Sequence, residues 1–152
     1  MNCLVNLKLN PIVPGCASGE IVLSRVPLSF WGGFSAQSGK VIDSRHHLVG
    51  QCLTDRILIM PQGRGSSSSS GVLLEAMRLG TAPRALICVV VEPILATASI
   101  ISREMYGTWM PQFSIDETLL QQVRSSAWAE IAANESGYYL KIPQVKGDDG
   151  VL

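Results

Sequence analysis

The stretch from residue 56 to 107 constrains this chain more than any other. It holds two continuous apolar runs of strand length, Arg56-Ile-Leu-Ile-Met60 and residues 84–91, and helical spacing follows each of them. The second run is rich in β-branched side chains, with Ile87, Val89, Val90 and Val91. Unbroken runs of this kind read as buried strands. A helix is expected over residues 72–79, with Val72, Leu73, Ala76 and Leu79 on one side, Gly80 as C-cap and Pro83 just beyond. Pro93 ends the second strand, and a second helix over residues 94–106 is closed by Gly107. Strands alternating with helices in this order imply an α/β domain.

The flanks are read less directly. Residues 1–14 read as an opening strand, residues 19–24 as a strand and residues 40–43 as a short one, with a turn at 35–39 between them. The strand at 56–60 is expected to stop at Pro61. A third helix is expected from Ile115, because Ser114 with Glu117 fits a capping box and Ile115, Leu119, Val123 and Ile131 recur on one face. It should end by Gly137, before a last strand at 138–142 and a loose polar tail from Lys146. The expected organisation is a core over 1–108 and a C-terminal extension, 109–152, packed on the same domain.

Composition narrows the function. Twelve Lys+Arg balance twelve Asp+Glu in 152 residues, so no basic excess exists to neutralise nucleic-acid phosphates. Only 16% of residues are charged and 47% are hydrophobic, which excludes disorder for most of the chain. The longest apolar stretches are separated by Glu92-Pro93 and are too short to span a membrane. No secretory leader is read in residues 1–13, and a cytoplasmic protein is expected. Cys3, Cys16, Cys52 and Cys88 are widely spaced with no CxxC pair, so neither a zinc knuckle nor an iron–sulfur ligand run is present, and reduced thiols are expected.

Three segments carry possible chemistry. Gly63-Arg64-Gly65 precedes five serines, residues 66–70. A serine run can be a flexible linker, but a linker does not normally sit between a buried strand and a capped helix with no spare length. It can also be an anion-binding loop at a helix start, where free N–H groups and the helix dipole favour negative charge. No Gly-Lys-Ser/Thr follows, so it is not a Walker A loop. The third reading adds chemistry: a serine hydroxyl there acts on a bound carboxylate substrate, with N–H donors and Arg64 lowering the cost of an alkoxide. The segment Pro27-Leu-Ser-Phe-Trp-Gly-Gly33 reads either as core aromatics with a Gly-Gly turn or as a loop whose glycines and Trp31 approach a ligand. His46-His47 reads as a polar turn with one ring buried and hydrogen-bonded, or as a contributor to a site. Asp43 reads as a turn or helix cap, and Trp109 and Trp128 as core or interface residues.

Taken in order, these motifs resemble a known family. Pro27-Leu-Ser-Phe-Trp-Gly-Gly33, Gly39-Lys-Val-Ile-Asp43, His46-His47, Gly50 and Gly63-Arg-Gly-Ser-Ser67 resemble the small subunit of the aconitase X family. Gly71-Val-Leu-Leu-Glu-Ala76, Gly80-Thr-Ala-Pro83 and Glu92-Pro-Ile-Leu-Ala96 continue the resemblance in the same order, over residues 15–107, and the segment from Trp109 onward carries none of it. The resemblance implies a swivelling β/β/α domain, the counterpart of the mobile domain of aconitase. It implies a larger partner subunit that holds an iron–sulfur cluster or iron, with none in this chain. The family includes bacterial dehydratases of cis-3-hydroxy-L-proline and archaeal dehydratases of phosphorylated mevalonate, and the loop here looks more like the bacterial form.

The resemblance also implies roles. Ser66 matches the serine that abstracts the substrate α-proton, and Ser67 matches a second serine that helps bind substrate. Aconitase has an arginine after those serines; this chain has Ser68, and Arg64 is inferred to supply the charge. Arg64, Gly65, Ser67, Ser29, Phe30, Trp31, Gly32, Gly33 and His46 are the expected substrate-binding set. The expected reaction is loss of water from cis-3-hydroxy-L-proline, giving an enamine that tautomerises to 1-pyrroline-2-carboxylate, with the partner's metal as Lewis acid. Two alternatives stand beside it: a phosphomevalonate dehydratase small subunit, and a non-catalytic swivel module that binds an anion or a protein.

Overall fold

Residues 3–64 and 67–144 are described by the computed structural model; residues 1, 2, 65, 66 and 145–152 lie outside the described residues, and with them the expected polar tail. The strands are β1 (Leu4–Val13), β2 (Ala17–Leu23), β3 (Leu28–Ser29), β4 (Phe34–Ser35), β5 (Lys40–Val41), β6 (Ile57–Arg64), β7 (Ala85–Val90), β8 (Gln112–Ile115), β9 (Trp128–Asn134) and β10 (Gly137–Pro143). The helices are α1 (Phe30–Gly33), a single turn, α2 (Ser67–Leu79) and α3 (Pro93–Tyr106).

Alternating side chains on the main strands go to two different cores. Leu7, Leu9, Ile21, Ile57, Ile59, Ala85, Ile87, Phe113, Ile115, Ala129, Ile131, Leu140 and Ile142 form one buried cluster. The residues between them on β2, β6 and β7, namely Val22, Leu58, Met60, Leu86 and Cys88, join a second cluster with Leu73 and Ala76 of α2 and Leu95 and Ala98 of α3. The period of two is the strand period. Topology explains the two destinations. The sheet runs β2-β9-β10-β1-β8-β7-β6-β3, and β2 also pairs with β6, so seven strands close into a barrel. The first cluster is the barrel interior, and the second lies between its outer wall and the helices. Each fully buried aliphatic side chain contributes roughly 1.5–3 kcal/mol.

Strand direction divides the barrel. β6 runs parallel to β2, β3 and β7, and β7 parallel to β8. The remaining barrel pairs are antiparallel. α2 and α3 are the crossovers of the parallel part and cover its outer face. β6 and β7 are therefore buried on both sides, which is why they read as continuous apolar runs. β1 leaves Asn6, Lys8 and Asn10 exposed, and β9 leaves Trp128 and Glu130 exposed.

Three expectations are corrected. β6 does not stop at Pro61 but runs to Arg64. Pairing with β2 ends at Ile59 and pairing with β3 begins at Gly63, so Pro61 lies where no neighbour uses its missing N–H. α2 starts at Ser67 rather than residue 72, so serines form its first turn. The helix expected from Ile115 is not formed. Ser114 pairs with Asn10 in β8, a 3-10 helix covers Glu117–Gln122, and β9 follows. Asp116, not Ser114, caps that turn, its Oδ1 accepting from the Thr118 N–H at 2.9 Å. The apolar set of the expected helix face is still buried, because Ile115, Val123 and Ile131 enter the barrel interior with Leu119 packed against them. Two strands and a turn bring them together instead of one helix. The segment expected as an extension thus supplies β8, β9 and β10, without which the barrel does not close.

Candidate functional site

The carboxyl ends of β3 and β6 meet the first turn of α2. Leu28 pairs with Gly63 and Ser29 with Arg64, so the segment through Trp31 and the segment entering α2 leave the sheet side by side. Ligands of open α/β sheets bind outside the carboxyl ends of strands for this reason: helix N-termini converge there. The first turn of α2 contains no acidic residue, so nothing on the helix opposes an anion at its N-terminus. Arg64 is exposed and makes no ion pair among the described residues. Ser67 and Ser68 are exposed beside it. Gly65 and Ser66, the central expectations, lie outside the described residues.

The two glycines flanking Arg64 in the sequence invite one explanation, ligand approach, but Gly63 has another. A Cβ on Gly63 would lie 2.5 Å from Leu95 Cδ1, so this position is bare to let α3 pack against β6. Gly32 is explained by its own backbone. Its φ is +77° and a Cβ there would meet nothing within 4 Å, so backbone conformation, not crowding, calls for glycine.

Trp31 is held by its backbone and free at its ring. Its N–H donates to Ser69 Oγ at 3.2 Å, and its carbonyl accepts from Ser29 Oγ at 2.8 Å. The residue is 62% exposed. It borders an open groove of about 690 Å³ that is also lined by Gly32, Phe34, Ile42, Ser68 and Val72. Ser29, Trp31, Gly32, Arg64 and Ser67 are therefore brought to one end of the domain. Phe30 is not available there: its ring is fully buried and meets Phe34 edge-on, 5.4 Å between centroids, so it supports the loop from beneath. Gly33 is buried, with its carbonyl accepting from the Ile42 N–H at 2.9 Å.

His46 also departs from the substrate-binding expectation. It is buried, its Nδ1 accepts from the Leu48 N–H at 3.1 Å, and its Nε2 faces Ser24 Oγ at 3.3 Å. Both ring nitrogens are used within the chain. The polar-turn reading describes it well, and Asp43 caps the same turn by accepting from the Arg45 N–H at 2.9 Å. The feature that the sequence reading missed is Ser69. One signal for it existed: Ser69 shares a helical row with Leu73 and Ala76, at spacings of four and three residues, and all three are buried.

This architecture has known counterparts. The chain belongs to the aconitase X swivel domain family, whose model matches residues 6–141. The match therefore includes β8, β9 and most of β10, beyond the stretch that carried the sequence resemblance. Cis-3-hydroxy-L-proline dehydratase of Hypocrea jecorina is 40% identical over 119 residues, covering 78% of this chain and 20% of that protein. The Pseudomonas aeruginosa protein of the same name is 39% identical over 121 residues, covering 80% of this chain and 21% of that protein. The chain thus spans about a fifth of the length of these relatives. The phosphomevalonate dehydratase small subunit of Methanosarcina acetivorans is 40% identical over 98 residues, covering 64% of this chain and 68% of that subunit. Among solved structures, holo aconitase X of Thermococcus kodakaraensis superposes with a TM-score of 0.78 at 30% identity, covering 92% of this chain and 99% of that one. Among the described residues no group of His, Cys, Asp and Glu is placed to hold a metal ion, and no helix is long and apolar enough to cross a membrane.

Proposed function

We propose that this chain is the swivel part of a dehydratase that converts cis-3-hydroxy-L-proline to 1-pyrroline-2-carboxylate. The likeness to two dehydratases of that name across four fifths of the chain carries the reading. The site geometry supports it. An anionic carboxylate fits the first turn of α2, where the N–H groups of a helix start and Arg64 offer positive potential. Ser66, immediately before that turn in sequence, is the base in this reading: as alkoxide it takes the proton from the carbon bearing the carboxylate. Ser67 binds substrate, and the exposed Trp31 covers it and excludes water when the domain closes.

The rest of the active site belongs to a larger part, fused to this chain or separate from it. The described residues do not supply a ligand set for the metal centre that the family implies, so we place that centre on the larger part and assign this chain no step through it. The exposed groove beside Trp31 and Ile42 faces that part in this reading, which also accounts for the low share of charged residues.

Assembled enzyme is expected to form the cyclic imine from cis-3-hydroxy-L-proline, and Ser66→Ala is expected to lower kcat by a factor on the order of 10² or more. Near-normal turnover by Ser66→Ala would overturn the assigned role. A second reading has its own support: phosphomevalonate dehydratase small subunits are similar in extent as well as sequence, with 68% of the Methanosarcina acetivorans subunit covered. Turnover of phosphomevalonate but not of the hydroxyproline would select it.

A further inference from the structure

We propose that Ser69 is a positioning residue that clamps the Trp31 loop to the strand end leading into Ser66, and so sets how the two sides of the site meet. The inference rests on the function proposed above for what the clamp serves, but the clamp itself is read from geometry. Ser69 is fully buried, whereas Ser67 and Ser68 before it are exposed. Its hydroxyl oxygen accepts from the Trp31 N–H at 3.2 Å, and its proton is directed at the Arg64 carbonyl at 3.4 Å. One side chain thus bonds the backbone of both segments that leave the paired ends of β3 and β6.

The loop needs such a tether. Trp31 has φ −78° and ψ 116°, and Gly32 has φ +77°, so α1 is not a regular helical turn that holds itself by internal bonds. Ser29 fixes the carbonyl of Trp31 and Ser69 fixes its N–H, leaving the indole presented on a held backbone. Packing alone does not explain a serine here. Leu73 and Ala76 fill the same helical row with apolar side chains, and an alanine would serve the packing equally. What the hydroxyl adds is two bonds to two loops, at a buried position where an unbonded hydroxyl would cost stability.

The test uses the full chain for structure and the assembled enzyme for kinetics. Alanine favours a helix over serine, so Ser69→Ala keeps α2. In that variant, hydrogen exchange at the Trp31 amide is expected to rise about tenfold, as for loss of one hydrogen bond. Barrel amides such as those of Leu58 and Ile131 should keep their protection. In the assembled enzyme kcat should fall about tenfold with KM within about threefold, the signature of misplaced rather than missing groups. Ser69→Cys, which keeps the size and a weaker hydrogen bond, should lie between the two. Unchanged exchange at Trp31, an unchanged kcat, or equal loss of protection throughout the barrel would each overturn the proposal. If the wild-type enzyme has no dehydratase activity, the functional reading fails, and the exchange result alone decides whether the clamp exists.

Discussion

His46 and His47 stack with 4.9 Å between ring centroids, and their partners assign opposite tautomers. Nδ1 of His46 accepts from the Leu48 N–H, so its proton sits on Nε2, facing Ser24 Oγ. Nε2 of His47 accepts from the Arg25 N–H at 3.0 Å, so its proton sits on Nδ1. Ser24 completes the chain by donating to the Val26 carbonyl at 2.5 Å. Burial, the neighbouring His46 and Arg25 all hold the His47 ring below the usual histidine value. A lowered folded pKa favours the neutral ring, so the stabilisation is present above about pH 6.5 and is lost as pH falls below it toward the folded value. Thermal melts should give a lower Tm at pH 5 than at pH 7.5. His47→Gln, which keeps an acceptor but does not titrate, should shrink that difference. Thiol chemistry is set residue by residue in the same way. Burial pushes the Cys88 thiol up to about 12, while Cys3 and Cys16 are exposed. An alkylating reagent at pH 8 should label Cys3 and Cys16 in the native chain and Cys88 only after denaturation, as read by peptide mass mapping.

At the level of elements, the segment from Ile115 to Asn134 shows how one apolar set fits two structures. Ile115, Leu119, Val123 and Ile131 have spacings that suit a helix face, yet they point into a barrel from β8, a 3-10 turn and β9. In β9 the alternation Trp128 out, Ala129 in, Glu130 out, Ile131 in was the strand signal, but an alanine at a buried position and an aromatic on the wet side blurred it. Mutational cost separates the two structures. Ile131→Ala should cost about 2–5 kcal/mol in denaturant unfolding, as for a buried aliphatic. Trp128→Ala, on the exposed face, should stay within about 0.5 kcal/mol. β6 shows the opposite case. Its apolar run was plain in the sequence, but its continuation through Pro61 depended on which neighbours pair on either side. Ser67 to Ser70 became the first turn of α2 rather than a loop for a similar reason: the helix is anchored at Leu73 and Ala76, and one more turn buries Ser69 in the same row.

For the whole molecule, the decisive fact is closure. β2 pairs with β9 on one side and β6 on the other, joining the antiparallel N- and C-terminal strands to the parallel, helix-covered unit. Closure removes the free edges of those strands and gives the domain one polar, convergent end, where β3, β6 and α2 meet. Local patterns in the sequence determined the parallel unit almost by themselves. Apolar runs buried on two faces, glycine caps after α2 and α3, and Pro93 at the start of α3 each act within a few residues. The ordered motifs also singled out Ser29, Trp31, Gly32, Arg64 and Ser67, which the fold brings to one end of the domain. What only the tertiary structure decided is whatever depends on partners far away in the chain. Phe30 and His46 look like ligand residues in a linear motif, but a neighbour's ring and a backbone amide claim them. Gly63 is bare because of Leu95, and Ser69 matters because Trp31 and Arg64 reach it. Hydrogen bonds and packing contacts are satisfied across space, so that Ser69, rather than Ser67 or Ser68, is the buried one could not be read until the loops around it were in place.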